Sequence, residues 1–479
     1  MHSKLFRAAL IVLAAMGPTP AQAADNAELD RHVTDYMGRA GYPGVAIAVT
    51  HGDRVVVTAG YGRDSTGAPM TAQTPMPVAS VSKSFTALAV MQLVEAGKIV
   101  LDEPVRTYLP DFEIADPRGA RITARQLLNH TSGITDRTLP EKSLPQPESL
   151  AGALRRARAA TLAADPGAEH HYTNTNYHLA ARLVEVVAGQ PFGDYLRDRV
   201  LAPLGMRASR TADSAPVTGL AKGHIYAYGA SIPTTEPDRF LSGSDDLITT
   251  AEDMAHWLIM HSGDGQAANG TRLVSQESLR LMHASTDPRW DYGLGWATDE
   301  HGRPGHSGIW FTYTAYQRLL PSGHGIAVMA NSGIGLGNEG PAQFVDNIAR
   351  IVEGSGTPDR PAPLRLIIDL VLGALTIASL GLGIRTIRRA PLWAQRLAGR
   401  PMWMIGLRLL PRFIPLALLL LLPFLLGELV GGGRDMTQWQ LLHYSVPLMV
   451  WSGVATLMGL SVVATRVTAL VRLRRVTTG

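Results

Sequence analysis

Ser80 and Lys83, in the run PVASVSKSFTALAVMQLV (77–94), are the first residues whose types and spacing could do chemistry. Three positions apart on a helix, a hydroxyl and an amine share one face and can meet. Lys83 is the only charged residue between Met76 and Val94, so its surroundings read as apolar. Desolvation disfavours an ammonium group and makes the amine a proton acceptor near neutral pH, which a serine nucleophile requires. By itself, Ser-x-x-Lys also fits a chance pairing with a solvated lysine.

Two further clusters carry polar groups in suggestive places. Tyr172 and Asn174 open YTNTNYHLAARLVEVV, and two residues apart in an extended segment they point to one side. A phenol beside an ammonium group shifts toward phenolate, and an amide can hold a substrate carbonyl. A core tyrosine with a helix-capping asparagine explains the same residues without chemistry. In GHSGIW, His306 offers a polar head and Gly308 would let a substrate backbone come close to a strand edge. His170 and His171 are adjacent and would point to opposite faces of an extended segment. With no acidic or histidine cluster completing a site, no metal is expected. His130 in NHTSG reads as a turn-organising residue.

Elements able to position these groups follow from the patterning. GVAIAVT (44–50) and RVVVTAG (54–60) around HGD form a hairpin signature, and YTAYQRLL with GIAVMAN around PSGH form a second. Helical periodicity covers 80–96, 123–129, 148–163, 175–188, 193–202 and 250–261. Strands at both chain ends with helices between them predict an α+β fold, an antiparallel sheet with a large helical insert.

The two termini point to export and a membrane. Lys4 and Arg7 precede an apolar run, and AQA at 21–23 is a small-x-small site, so residues 1–23 read as a signal peptide. After a linker at 354–363 (GSGTPDRPAP), three apolar segments follow, near Leu366–Ile384, Phe413–Gly427 and Tyr444–Thr465. The expected layout is therefore a catalytic domain at 24–353 and a membrane domain with three transmembrane helices at 364–479. Seven arginines and no acid lie in 385–412, and four more follow Thr465. The positive-inside rule then places the C-terminus in the cytoplasm and residue 363 outside, with the catalytic domain periplasmic or extracellular. Those eleven arginines exceed the formal net charge of +4, so the remainder is acidic and offers no basic patch for nucleic acid. The chain has no cysteine, which excludes disulfides and thiolate metal sites.

SVSK, YTN and HSG, in this order, resemble the three active-site motifs of the serine β-lactamase and penicillin-binding-protein superfamily, closest to its class C β-lactamase, D-peptidase and esterase branch. LLNHTSGI (127–134), PFGDYLRDRVLAPLGM (191–206), SGSDDLITTAEDMAHWL (242–258) and YGLGW (292–296) support the resemblance, which covers about residues 27–352. It implies a β-lactamase/transpeptidase-like domain, with Ser80 as acyl-forming nucleophile and Lys83 and Tyr172 sharing its proton. It further implies Asn174, His306 and Gly308 in substrate binding, and the N–H groups of Ser80 and Ile309 as the oxyanion hole. No cofactor is implied. Histidine at 306, where the family's β-lactamases and carboxypeptidases usually carry lysine, points toward substrates without a carboxylate. The bulky IWFTYTAY after the motif suggests a restricted acyl pocket.

The expected activity is cleavage of a peptide or amide of the D-amino-acyl type by an exported, membrane-tethered enzyme. The alternatives are a carboxylesterase or weak β-lactamase and, from another class, a penicillin-type sensor signalling through the spans. The partners are a small-molecule or peptide substrate and the membrane, with the oligomeric state left open.

Overall fold

A computed structural model describes residues 20–478 of the chain, apart from 339 and 430. Most of the expected signal peptide thus lies outside the described residues. The first helix, α1 (Pro20–Ala40), runs through the expected cleavage point.

A six-stranded antiparallel sheet is assembled from both chain ends, as the patterning predicts. Strands β1 (Gly44–His51) and β2 (Arg54–Gly62) form the first hairpin. Strands β3 (Ala297–Thr298), β4 (Pro304–Ile309), β5 (Thr314–Leu319) and β6 (His324–Ala330) follow, in the spatial order β3-β4-β5-β6-β1-β2. β1 pairs with β6 from Val45↔Ala330 to His51↔His324, which closes the sheet across the whole catalytic region. The first hairpin turns at Gly52 and the last at Gly323, both at positive φ.

Because successive strand residues face opposite sides, β1 is buried on both faces and divides two cores. Val45, Ile47 and Val49 pack with Leu29, Val33 and Tyr36 of α1 and with Phe344 and Ile348 of the C-terminal helix of this region (Ala342–Val352). Tyr36 stacks on Phe344 with ring centroids 4.2 Å apart. Ala46 and Ala48 face the larger core around α2 (Ser82–Glu95). Apolar or small residues all round α2 make it a buried helix rather than a surface one, and its Phe85 stacks on Trp257 at 3.5 Å.

The periodicity does not mark α1, Gln276–His283 or Ala342–Val352, and the helix expected over 148–163 is only Leu150–Ala157. Its expected continuation is tied down by tertiary hydrogen bonds instead. Ala115 N–H donates to the Arg158 carbonyl, Leu162 N–H to Asp116, and Ala163 N–H to the Gly133 carbonyl.

Among the described residues, three helices of the C-terminal region are long and apolar enough to cross a membrane: Leu364–Arg388, Met402–Leu429 and Val446–Arg475. The arginine-rich stretch between the first two is largely helical, with a helix at Ala390–Leu397. Tyr444 ends a short helix of its own, and the third apolar helix starts after Ser445 with Pro447 in its first turn, where proline is tolerated. The first apolar helix begins docked on the sheet region: Arg365 donates to Ser332 Oγ and to the Gly333 carbonyl, and Tyr228 N–H donates to Asp369.

Candidate active site

Ser80 sits in a short 3₁₀ turn (Ala79–Val81) that leads into α2. Ala79 has φ +48°, an uncommon conformation for a residue with a Cβ, so the backbone is strained one residue before the hydroxyl. The Ser80 hydroxyl donates to Asp245 Oδ1 (2.7 Å) and accepts from Lys83 Nζ (2.9 Å). The expected i, i+3 meeting of hydroxyl and amine is therefore present.

The surroundings of Lys83 differ from the apolar reading. Nζ is fully buried but also donates to Asn174 Oδ1 (2.9 Å) and to the Ser244 carbonyl (3.0 Å), with Asp245 Oδ1 at 3.9 Å. The helix supplies apolar neighbours along the stem, while residues distant in sequence supply acceptors at the tip. Asp245 is the functional candidate that sequence reasoning missed, although SGSDDL was noted as a supporting stretch. Burial alone would raise its pKa, but Lys83 and Arg239 outweigh burial and hold the carboxylate below its usual range. Its neighbour Asp246 lacks those cations, and burial pushes it up to about 7.

Tyr172 and Asn174 enter the same corner at the start of α3 (Asn174–Ala188). Lys83 Nζ lies 4.9 Å from the centroid of the Tyr172 ring. His130, at φ +60°, packs its ring 4.2 Å from that of Tyr172, and its Nδ1 accepts from Thr173 N–H and Asn176 Nδ2. Burial, reinforced by His170, drives the His130 pKa well below the imidazole range, so its ring is a neutral platform under the tyrosine. Asn174 spends Oδ1 on Lys83, which leaves Nδ2 for a substrate carbonyl.

The strand side is arranged differently from its sequence reading. His306 is 3% exposed and does not line the cleft; Ser307 and Ile309 do. Its Nδ1 donates to the Ser307 carbonyl (2.6 Å) and its Nε2 accepts from the Tyr292 hydroxyl (2.8 Å). Burial, then the Lys83 charge, lowers its pKa to about 4. Gly308 is required for a different close approach from the expected one. A Cβ there would lie 2.0 Å from the Val78 carbonyl oxygen, so the glycine lets β4 press against the turn that carries Ser80. Ile309, the next residue of the strand, lines the same cleft as Ser80.

These residues border a cleft of about 510 Å³. Ser80, Tyr172, Asn174 and Asp245 lie on one side and Ser307, Ile309 and Phe311 on another. Lys142, Arg239 and Arg434 bring cations to it, and Leu426, Met436 and Tyr444 belong to the C-terminal region. Of the paired histidines, His171 Nε2 lies 2.9 Å from Glu169, while His170 stacks near Trp290.

Known proteins agree with this architecture. The β-lactamase family profile matches residues 29–345. Penicillin-binding protein 4 of Amycolatopsis lactamdurans is 35% identical over 319 residues, which is 61% of this chain and 81% of that protein. The octameric penicillin-binding protein homologue from Pyrococcus abyssi superposes with a TM-score of 0.60 at 26% identity, covering 73% of this chain and 81% of that one. A D-amino acid amidase from Ochrobactrum anthropi SV3 shares the fold, with a TM-score of 0.57 at 24% identity over 69% of this chain and 99% of its own. With the profile spanning well over half of its length, the chain belongs to the β-lactamase family, a family of serine hydrolases.

Proposed function

We propose that this protein is an exported serine hydrolase, tethered by its three apolar C-terminal helices, that forms an acyl-enzyme on Ser80 and cleaves amides of the D-amino-acyl type. The observation that carries this reading is the Ser80 hydroxyl, held between Lys83 Nζ and Asp245 Oδ1 in the cleft. Ser80 Oγ attacks the scissile carbonyl while its proton passes to the Lys83–Asp245 pair. The oxyanion forms against the N–H groups of Ser80 and Ile309, each donor contributing about 3–4 kcal/mol to the transition state. Tyr172, with Lys83 beside its ring, relays that proton from the pair to the leaving amine, and water then releases the acyl group, giving its own proton back to Ser80 through the same pair. Asn174 and the strand edge at Ser307–Ile309 align the substrate.

The family shown by the profile and the amidase with the same fold support an amide substrate, and the length and apolarity of the three helices support a membrane tether. In the expected topology the arginine-rich segments face the cytoplasm and the cleft faces outward.

The test is covalent labelling by a fluorophosphonate, followed by turnover of D-amino-acyl amides against short esters. Ser80→Ala abolishes labelling while retaining the fold; persistent labelling in that variant rejects the assignment.

A further inference from the structure

Beyond the expected machinery, the loop joining the second and third apolar helices reaches the active site. Residues 431–435, GGGRD, fold back on the end of the second helix. Gly432 and Gly433 take positive φ, Gly433 N–H donates to the Gly427 carbonyl, and a Cβ on Gly427 would lie 2.3 Å from the Arg434 carbonyl oxygen. The glycines thus allow a tight return that projects Arg434 into the catalytic domain.

There the guanidinium is only 16% exposed and forks between two buried acids. Nε donates to Asp136 (2.8 Å) and Nη2 to Glu141 (2.9 Å). Its carbon lies 5.1 Å from the centroid of the Tyr172 ring. The other oxygen of Glu141 accepts from Thr175 N–H (2.9 Å) and the Thr175 hydroxyl (3.2 Å). Arg434 therefore bears on the segment of Tyr172 and Asn174 twice, directly on the ring and through Glu141 on the backbone that follows. Next to it, Asp435 accepts from the N–H groups of Lys142 and Ser143 and from the Ser143 hydroxyl, fastening the loop.

We propose that Arg434 is a positioning residue of the active site, clamping the Tyr172–Asn174 segment from the loop between the apolar helices, so that the C-terminal region completes the catalytic unit instead of only anchoring it. This rests on Ser80 being the nucleophile. A lysine cannot reproduce the clamp, because a single ammonium lacks the fork that reaches two carboxylates while lying over an aromatic face.

The experiment uses the full chain in nanodiscs and an alkyl fluorophosphonate, with the maximal labelling rate and the half-saturating concentration measured separately. Arg434→Met is expected to lower the maximal rate about 10²-fold, the scale of a small misplacement of catalytic groups, with half-saturation moving less than about twofold. Arg434→Lys recovers about tenfold of that loss by restoring the charge alone. Arg137→Ala removes an outer ion pair beside that loop, between Arg137 and Glu428 at the end of the second apolar helix, and keeps the wild-type rate. A wild-type rate in Arg434→Met overturns the proposal, as does an equal loss in Arg137→Ala, which would mean that the loop acts only as a wall. If Arg434→Met does not accumulate, Arg434→Lys decides alone: a rate about tenfold down supports the clamp, and a wild-type rate rejects it. Labelling that persists in Ser80→Ala, or is absent from wild type, instead removes the nucleophile reading on which the clamp rests.

Discussion

The helix side and the strand side of the cleft both carry residues that stand out in the sequence, yet they use them in opposite ways. On the helix side, Lys83 is buried with its polar tip directed at Ser80 and Asn174. On the strand side, His306 is equally buried but turns into a pair with Tyr292, and the residues beside it, Ser307 and Ile309, face the cleft. A helix puts i and i+3 on one face, so a motif residue there meets its neighbour. A strand alternates faces, so a conspicuous residue stands next to the one that lines the site.

The largest effect expected from this contrast lies at Lys83. Lys83→Arg keeps the charge, but a guanidinium cannot occupy a fully buried corner where one nitrogen meets Ser80, Asn174 and Ser244. Turnover and labelling should fall by about 10²–10⁴, the worth of a general base; near wild-type turnover would make Lys83 structural.

His306 should matter to stability instead. Its pKa is about 4 in the folded protein against an ordinary 6.5 when unfolded. A depressed base binds fewer protons folded than unfolded, so its contribution is full above the unfolded value and is lost as pH falls through 6.5 toward 4. The shift corresponds to about 3 kcal/mol. Thermal or denaturant unfolding from pH 7 to pH 4 should show a shallower loss in His306→Gln than in wild type. The ratio of kcat/KM for matched amide and acid substrates should change less than about threefold, since the ring does not line the cleft. A ratio shifted tenfold would return His306 to substrate recognition.

Asp245 sharpens the helix side further. Asp245→Asn keeps the volume but removes the charge that Ser80 donates to and that faces Lys83. About 10²-fold slower labelling is expected, the lower bound for a general base. An unchanged rate would leave the Ser80 proton to Lys83 and Tyr172 alone.

The smallest effect falls on the strand side. Gly308→Ala forces a Cβ against the Val78 carbonyl, so β4 must move from the nucleophile turn. A loss of about 2 kcal/mol in stability is expected, as for other overpacked sites. It should come with slower acylation and unchanged binding; equal losses in both would show that the strand serves only as a wall.

Which parts were legible follows from the range of the interactions. The hairpins at 44–62 and 314–330 showed in the alternation and turn glycines, and the buried helix over Ser82–Glu95 in its largely apolar or small residues, because these signals are local. α1 was missed because only its packing on Phe344 and Ile348 makes its sparse apolar face meaningful. Ser80, Lys83, Tyr172 and Asn174 were found by spacing and resemblance, and they do converge. Asp245 lies 165 positions from Ser80, and Arg434 lies 298 from Asp136. No window along the chain relates residues so far apart. The contact of Gly308 with the Val78 carbonyl was hidden for the same reason, since that carbonyl belongs to a turn that only tertiary structure brings close.

The pairing of β1 with β6 also imposes an order of events in time. A ribosome finishes the Ser-x-x-Lys turn long before it reaches the strand that must lie against it, with roughly 10–50 s between Ser80 and Ile309 at ordinary elongation rates. During that interval β1 has a hairpin partner on one edge and none on the other, and Ser80 lacks the second of its proposed oxyanion donors. Hydrolysis can therefore begin only after about two thirds of the chain has been made. The nascent polypeptide meanwhile exposes an apolar edge, a natural point for a chaperone to hold it.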